Sequence, residues 1–328
     1  MKKSYTFSPA LAKKAERYGI ALVALTVAIT VAITLFTSHE SMVATHATKL
    51  PWAAVGWLAL ATIIESILRF FRYHVAAKAL NLPVPLWRMA YYYSVGYALL
   101  PTPGKVGTAI RLWLLKQYHG LSYSRTFPLI AMDFLSDAIA MSALACAALI
   151  FLHHPALQLL GVTLASGLIA LLIYCLAGPK IMRRILKFIY VTIGRRKPKL
   201  FARLLRLNHT SSQVLGWRIM GKTILLSFVG WGLVGWGVAH LVTAMGNPLT
   251  LAQGTAVITL GTMGGFLSMM PAGVGGAELA MAGLLKMFGT PLLAAVLATA
   301  LIRLFVLWLT VVIGLILLPF ALKNAPNR

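Results

Sequence analysis

The stretch LLAAVLATALIRLFVLWLTVVIGLILL, residues 292–318, runs for 27 residues with a single charge, Arg303. As an α-helix it would measure about 40 Å at ~1.5 Å per residue, more than the ~30 Å hydrocarbon core of a bilayer. Runs of similar character occupy 19–36, 51–71, 127–151, 157–178 and 223–245. Lipid cannot satisfy exposed backbone N–H and C=O groups, so such runs are expected to cross as helices. Composition agrees: 59% of the residues are hydrophobic and 11% charged, where soluble domains run near ~25% charged. The expected fold is an all-α polytopic integral membrane protein with about six spanning helices.

Thirty Lys and Arg against six Asp and Glu give a net charge of +24. Nothing in the sequence resembles a nucleic-acid module, and the basic residues instead cluster as the positive-inside rule requires. Lys2, Lys3, Lys13, Lys14 and Arg17 mark 1–18 as cytoplasmic, and 179–222 carries twelve basic residues and no acid. The intervening outer loops hold one lysine, Lys49, whereas the tail 320–328 is basic. The N-terminal run is expected to remain as an anchor, because the residues before Gly19 are too many and too basic for a signal-peptide start. Both termini are expected on the cytoplasmic side, with a bacterial inner membrane the expected location.

Two further apolar segments, 85–117 and 250–288, are each interrupted by Pro and Gly. The basic clusters share one side only if neither segment crosses. Both are therefore expected to be re-entrant helical hairpins, 85–117 within a first membrane half (19–178) and 250–288 within a second (223–319). Broken backbone at that depth is tolerated where it is buried or lines a cavity.

The interruptions share a pattern, Pro103-Gly-Lys-Val106-Gly107 and Pro271-Ala-Gly-Val274-Gly275. Arg111 follows the first proline by eight residues and Glu278 the second by seven. Asp133 and Asp137 follow by 30 and 34, and Arg303 by 32. Copies of opposite topology mark an inverted-repeat transporter with its site near the midplane. A plainer reading is that the small residues at 261–277 let helices approach closely.

LLPTPGKVG with a later Arg and DFLSD, then MMPAGVGGAE and a helix bearing Arg303, resembles the flippase-like transmembrane family. That family includes YbhN-like proteins and the membrane region of lysylphosphatidylglycerol synthases. The resemblance covers roughly Gly19 to Leu318. It implies functional tips at Pro103, Gly104 and Gly107 with Arg111, and at Pro271, Gly273 and Gly275 with Glu278. Thr108 stands where many relatives carry an acid. Asp133-Phe134-Leu135-Ser136-Asp137 stands where they read acid-Arg-x-x-Asp, which removes the arginine that would salt-bridge the first half. Synthase members carry a further soluble aminoacyl-transfer domain, and no such domain is recognised in these 328 residues. The resemblance therefore does not extend to synthase activity.

Arg303 lies about eleven residues into its run, some ~16 Å deep. A lone charge there costs at least ~2.5–3.5 kcal/mol, so it requires Glu278, a wet cavity or an anionic ligand. Guanidinium suits phosphate through paired N–H donors. Arg111 would add charge to a half-helix N-terminus, while Lys105 reads as snorkelling to the interface. Asp133 and Asp137, one turn apart, suit proton uptake and release. They could instead pair with Arg111 or Arg125. Glu65 and Arg69 read as a structural i, i+4 pair. Tyr91, Tyr92, Tyr93 and Tyr97 read as interfacial or cavity-lining.

Cys146 and Cys175 lie in apolar runs and the eight histidines are scattered, so neither a disulfide nor a metal is expected. GTMGGF, 261–266, has no preceding soluble strand and is not a nucleotide loop. No catalytic set or cofactor is expected. The sequence points to a transporter or flippase of an anionic lipid or polyprenyl-phosphate-linked substrate, with membrane lipids as partners. Its cavity is expected to be lined by Arg111, Glu278 and Arg303. The alternatives are an intramembrane head-group enzyme and a non-transporting membrane partner. Sequence does not fix the substrate or the oligomeric state.

Overall fold

The computed structural model describes residues 51–102, 108–150 and 216–323, with isolated positions between 155 and 205. Every regular element among them is helical, and the chain is an all-α integral membrane protein. Three helices of 28 residues each, α1 Trp52–Ala79, α4 Tyr123–Ile150 and α5 Trp217–Ala244, are long and apolar enough to cross a bilayer. So is the 32-residue helix Leu292–Lys323. It comprises α8 Leu292–Arg303, a π-helical turn Leu304–Trp308 and α9 Leu309–Lys323. These four correspond to the runs 51–71, 127–151, 223–245 and 292–318. The run 19–36 and most of 157–178 lie outside the described residues.

Between the long helices sit shorter ones. α2 Leu86–Val95 continues as a 3-10 segment Gly96–Leu99, and the chain resumes as α3 Ile110–His119. α6 Leu251–Leu267 returns as α7 Gly276–Met287 through a 3-10 turn Pro271–Gly273. The arms of 10 to 17 residues fall below the ~20 that a perpendicular crossing requires. Each half thus repeats one order of long helix, broken hairpin and long helix.

Small residues determine how closely these helices meet. α5 carries Gly230 and Gly237 on one face, where an added Cβ would lie 3.0 Å from Glu65 and 3.2 Å from Leu58 of α1. In the second hairpin, Gly264 and Gly265 pack on Gly276, Ala280, Ala277 and Gly273. The 261–277 small-residue run therefore does let two helices approach closely. Outward faces carry Ile63, Ile67, Leu225, Phe228, Val312 and Ile316, all exposed, as a lipid-facing surface should.

Gly314 of α9 crosses the 3-10 segment so tightly that a Cβ would lie 2.2 Å from the Ala98 nitrogen. A backbone atom cannot yield as a side-chain tip can. Gly314→Val is expected to lower stability by ~1–3 kcal/mol, as overpacking does. Gly232→Ala, which meets nothing within 4 Å, is expected to be neutral or to stabilise by up to ~1 kcal/mol through helix propensity. Unfolding temperatures in detergent compare the two.

Candidate functional site

Four of the six carboxylates lie within the described helices, Glu65, Asp133, Asp137 and Glu278, and every one is ion-paired to an arginine. The pairs form two groups. In the first half, α1 turns Arg72, fully buried, toward α4. Its guanidinium donates to Asp133 through Nε and Nη2, and to Asp137 and Ser227 through Nη1. Arg111 of α3 donates to Asp133 Oδ2 at 3.2 Å and stacks over the Tyr93 ring at 3.7 Å. Trp231 Nε1 of α5 donates to Asp137 at 3.1 Å. Gly96 makes room for Arg111, since a Cβ there would sit 2.1 Å from its Nε.

In the second half, Arg303 Nε donates to Glu278 Oε1 at 2.8 Å. Glu278 Oε2 accepts from the Gly275 N–H at 2.7 Å, closing the first turn of α7. Arg303 Nη2 donates to the Ala272 carbonyl in the tip itself. That tip bends through positive φ at Met269, Ala272, Gly273 and Gly275. Arg303 thus supports a turn that backbone preference alone resists at its non-glycine positions. A π turn follows it directly, a distortion frequent at functional positions.

The hairpins pair with their following helices by the same scheme and opposite sign. A basic return arm meets an acid in the first half, Arg111 with Asp133. An acidic return arm meets a base in the second, Glu278 with Arg303. The second tip touches the segment that leads into the first, for the Ala272 N–H donates to the Pro101 carbonyl at 2.8 Å.

Beside that junction lies a cavity of about 90 Å³. Its polar lining includes Arg69, Thr102, Trp231, Arg303 and Thr310, with Phe266, Met269 and Met270 on the apolar side. Arg69 pairs with Glu65 through Nε and lies 4.9 Å from the Trp231 ring centroid. A guanidinium has five N–H donors, so pairing through Nε leaves others for an anion. The arrangement can hold a small negatively charged group against two arginines.

The structure separates residues that sequence spacing grouped together. Arg303 and Gly273 line the cavity, while Arg111, Glu278, Pro271 and Gly275 do not. Arg111 is buried and turned toward Asp133 and Tyr93. Glu278 acts behind Arg303. Pro103, Gly104, Lys105 and Gly107 lie outside the described residues.

Asp133 pairs with Arg111, but Arg125 donates to the Asn81 carbonyl instead. The first half is salt-bridged after all, because α1 and α3 supply arginines that the α4 pattern lacks. Tyr93 and Tyr97 are buried against Arg111, and Tyr91 donates to the Leu317 carbonyl. Among the described residues no group of three or more His, Cys, Asp or Glu could hold a metal.

Sequence reasoning missed Arg72, and it left Arg69 out of the cavity. Both share a face with Glu65 at i, i+4 and i+7, a stripe of three charges within one apolar helix.

The sequence family described as lysylphosphatidylglycerol synthase TM region matches residues 20–314. No curated protein matches the chain.

Proposed function

The chain belongs to the lysylphosphatidylglycerol synthase transmembrane-region family, and from that membership and its two-arginine cavity we propose that it moves an anionic lipid across the bilayer. The carrying observation is the cavity where the second tip meets the end of the first hairpin's leading arm, with Arg69 and Arg303 on its wall. Charged groups at such depth are costly and mark substrate paths when they face a cavity. A phosphate-bearing head group, on a glycerolipid or a polyprenyl chain, offers the oxygens that guanidinium binds best.

In this reading the two hairpins re-enter without crossing and both termini face the cytoplasm, in a bacterial inner membrane. Substrate competes with Glu65 and Glu278 for the cavity arginines. Transport, and not head-group chemistry, is the proposed activity. Asp133 and Asp137 are the pair through which a proton would couple, by loosening their bonds to Arg72.

Reconstitution in phosphatidylcholine vesicles containing a head-group-labelled anionic phospholipid tests this. A membrane-impermeant quencher is expected to reach inner-leaflet label only when protein is present. Label protected as in protein-free vesicles would reject transport of that lipid class. Conversion of the head group in detergent, without two compartments, would replace transport by catalysis. In D133N/D137N protein shown to remain folded by its unfolding temperature and still transporting, loss of pH dependence would support proton coupling, and full retention would remove it.

A further inference from the structure

A second cavity, of about 230 Å³, lies between α1, α2 and α9. Ile63, Ile67 and Ile313 at its rim are exposed on the lipid-facing surface, so it opens sideways into the bilayer. Thr310 borders both this groove and the arginine cavity. The two spaces therefore adjoin across one side chain.

The groove sets isoleucines at its mouth beside a hydroxyl-bearing wall, and two of those hydroxyls lack an acceptor outside their own pair. Ser66 Oγ and the Tyr97 hydroxyl are buried and find no hydrogen-bond partner beyond each other. Tyr97 is only 4% exposed. Thr62 and Thr310, by contrast, donate to the Leu58 and Leu307 carbonyls of their own helix. Ser66 and Tyr97 are neighbours, but turning toward each other would use one of their two O–H donors and leave the other. Buried hydroxyls without partners are unfavourable. A bare alkyl chain would not relieve them, and the groove opens onto hydrocarbon, which holds no water to supply the missing acceptor. What fits is an apolar chain that carries an acceptor oxygen.

We propose that this groove seats the acyl-ester region of the lipid, with Ser66 and Tyr97 donating to an ester carbonyl and the chain passing Ile63 and Ile313 into the bilayer. The inference rests on the transport reading. It places the head group at Arg69 and Arg303, the ester across Thr310, and substrate entry from the side, between α1 and α9.

The test uses the full chain in phosphatidylcholine vesicles doped with phosphatidylglycerol that carries a photoactivatable diazirine beside the acyl carbonyl. Adducts are mapped by mass spectrometry. They are expected to concentrate on α1 near Ile63 and Ile67 and on α9 near Ile313. They should fall about tenfold in S66A/Y97F, two lost hydrogen bonds to one ligand. An unchanged unfolding temperature confirms that this double variant remains folded.

Adducts spread evenly over outward residues such as Leu225 and Phe228, or unchanged in S66A/Y97F, would overturn the groove. Equal labelling by a phosphatidylcholine probe would also overturn it, as plain bilayer contact. Head-group retention measured in parallel in R303A separates the two failures. If retention depends on Arg303 while the groove labels as bulk, only the lateral path falls. If neither depends on these residues, the transport reading falls as well.

Discussion

Arg72→Met is expected to cost the protein most of its folded yield. The side chain is fully buried and joins Asp133, Asp137 and Ser227, tying α1 to α4 and α5. Methionine matches much of its length but removes the guanidinium that Asp133 and Asp137 share, while Arg111 stays paired with Asp133. Removing one partner of a buried ion pair costs ~3–5 kcal/mol, because the remaining charge is stranded. That is a large share of the ~5–15 kcal/mol that holds a typical domain.

The same reasoning predicts rescue. R72M/D133N/D137N removes the stranded charges, and should recover much of the unfolding temperature lost in R72M. Thermal unfolding in detergent, read by tryptophan fluorescence alongside size-exclusion profiles, checks both variants. R72M unfolding at the wild-type temperature would mean that this network does not hold the first half together. A triple variant no better than R72M would mean that the guanidinium's own packing matters, and not the charges it balances.

Arg72 also shows where sequence reading stops. The spanning helices were legible because hydrophobic length is a local property, and 51–71, 127–151, 223–245 and 292–318 all appear as helices. The first was ended eight residues too early. The basic flavour of Arg69-Phe70-Phe71-Arg72 reads as a helix end at the interface, yet α1 continues to Ala79. That 85–117 and 250–288 each hold two short helices was legible from Pro and Gly within apolar sequence.

Which charges meet was less legible, because it depends on helix rotation and on contacts between the halves. Arg111 points toward Asp133, away from the tip cavity, since Gly96 and Tyr93 form a slot for it. The bond from Ala272 to Pro101 joins residues of opposite halves and leaves no trace in either local pattern. Glu278 with Arg303 was readable as a pair. That Glu278 also caps Gly275 follows only from the turn geometry.

On the proposed function, Arg303→Ala is expected to abolish retention of anionic lipid while leaving the chain folded in the membrane. Its partner Glu278 is not stranded in the way that Asp133 would be, because the Gly275 N–H still holds one carboxylate oxygen at 2.7 Å. The loss therefore falls mainly on the cavity wall. Co-purifying anionic lipid, quantified by mass spectrometry, should drop at least about tenfold, equivalent to ~1.4 kcal/mol. Arg303→Lys should lose nearly as much, since an ammonium cannot bridge Glu278 and the Ala272 carbonyl and still present paired donors.

Glu278→Gln distinguishes a ligand-binding arginine from a purely structural one. If Glu278 competes with substrate for Arg303, neutralising it frees the guanidinium, and anionic lipid should be retained more strongly than in wild type. If Arg303 only braces the tip through Glu278, then E278Q and R303A should fail alike. An unchanged lipid profile in R303A would leave Arg303 as a brace and move the anion to Arg69. That residue keeps its place on the wall through Glu65 and Trp231.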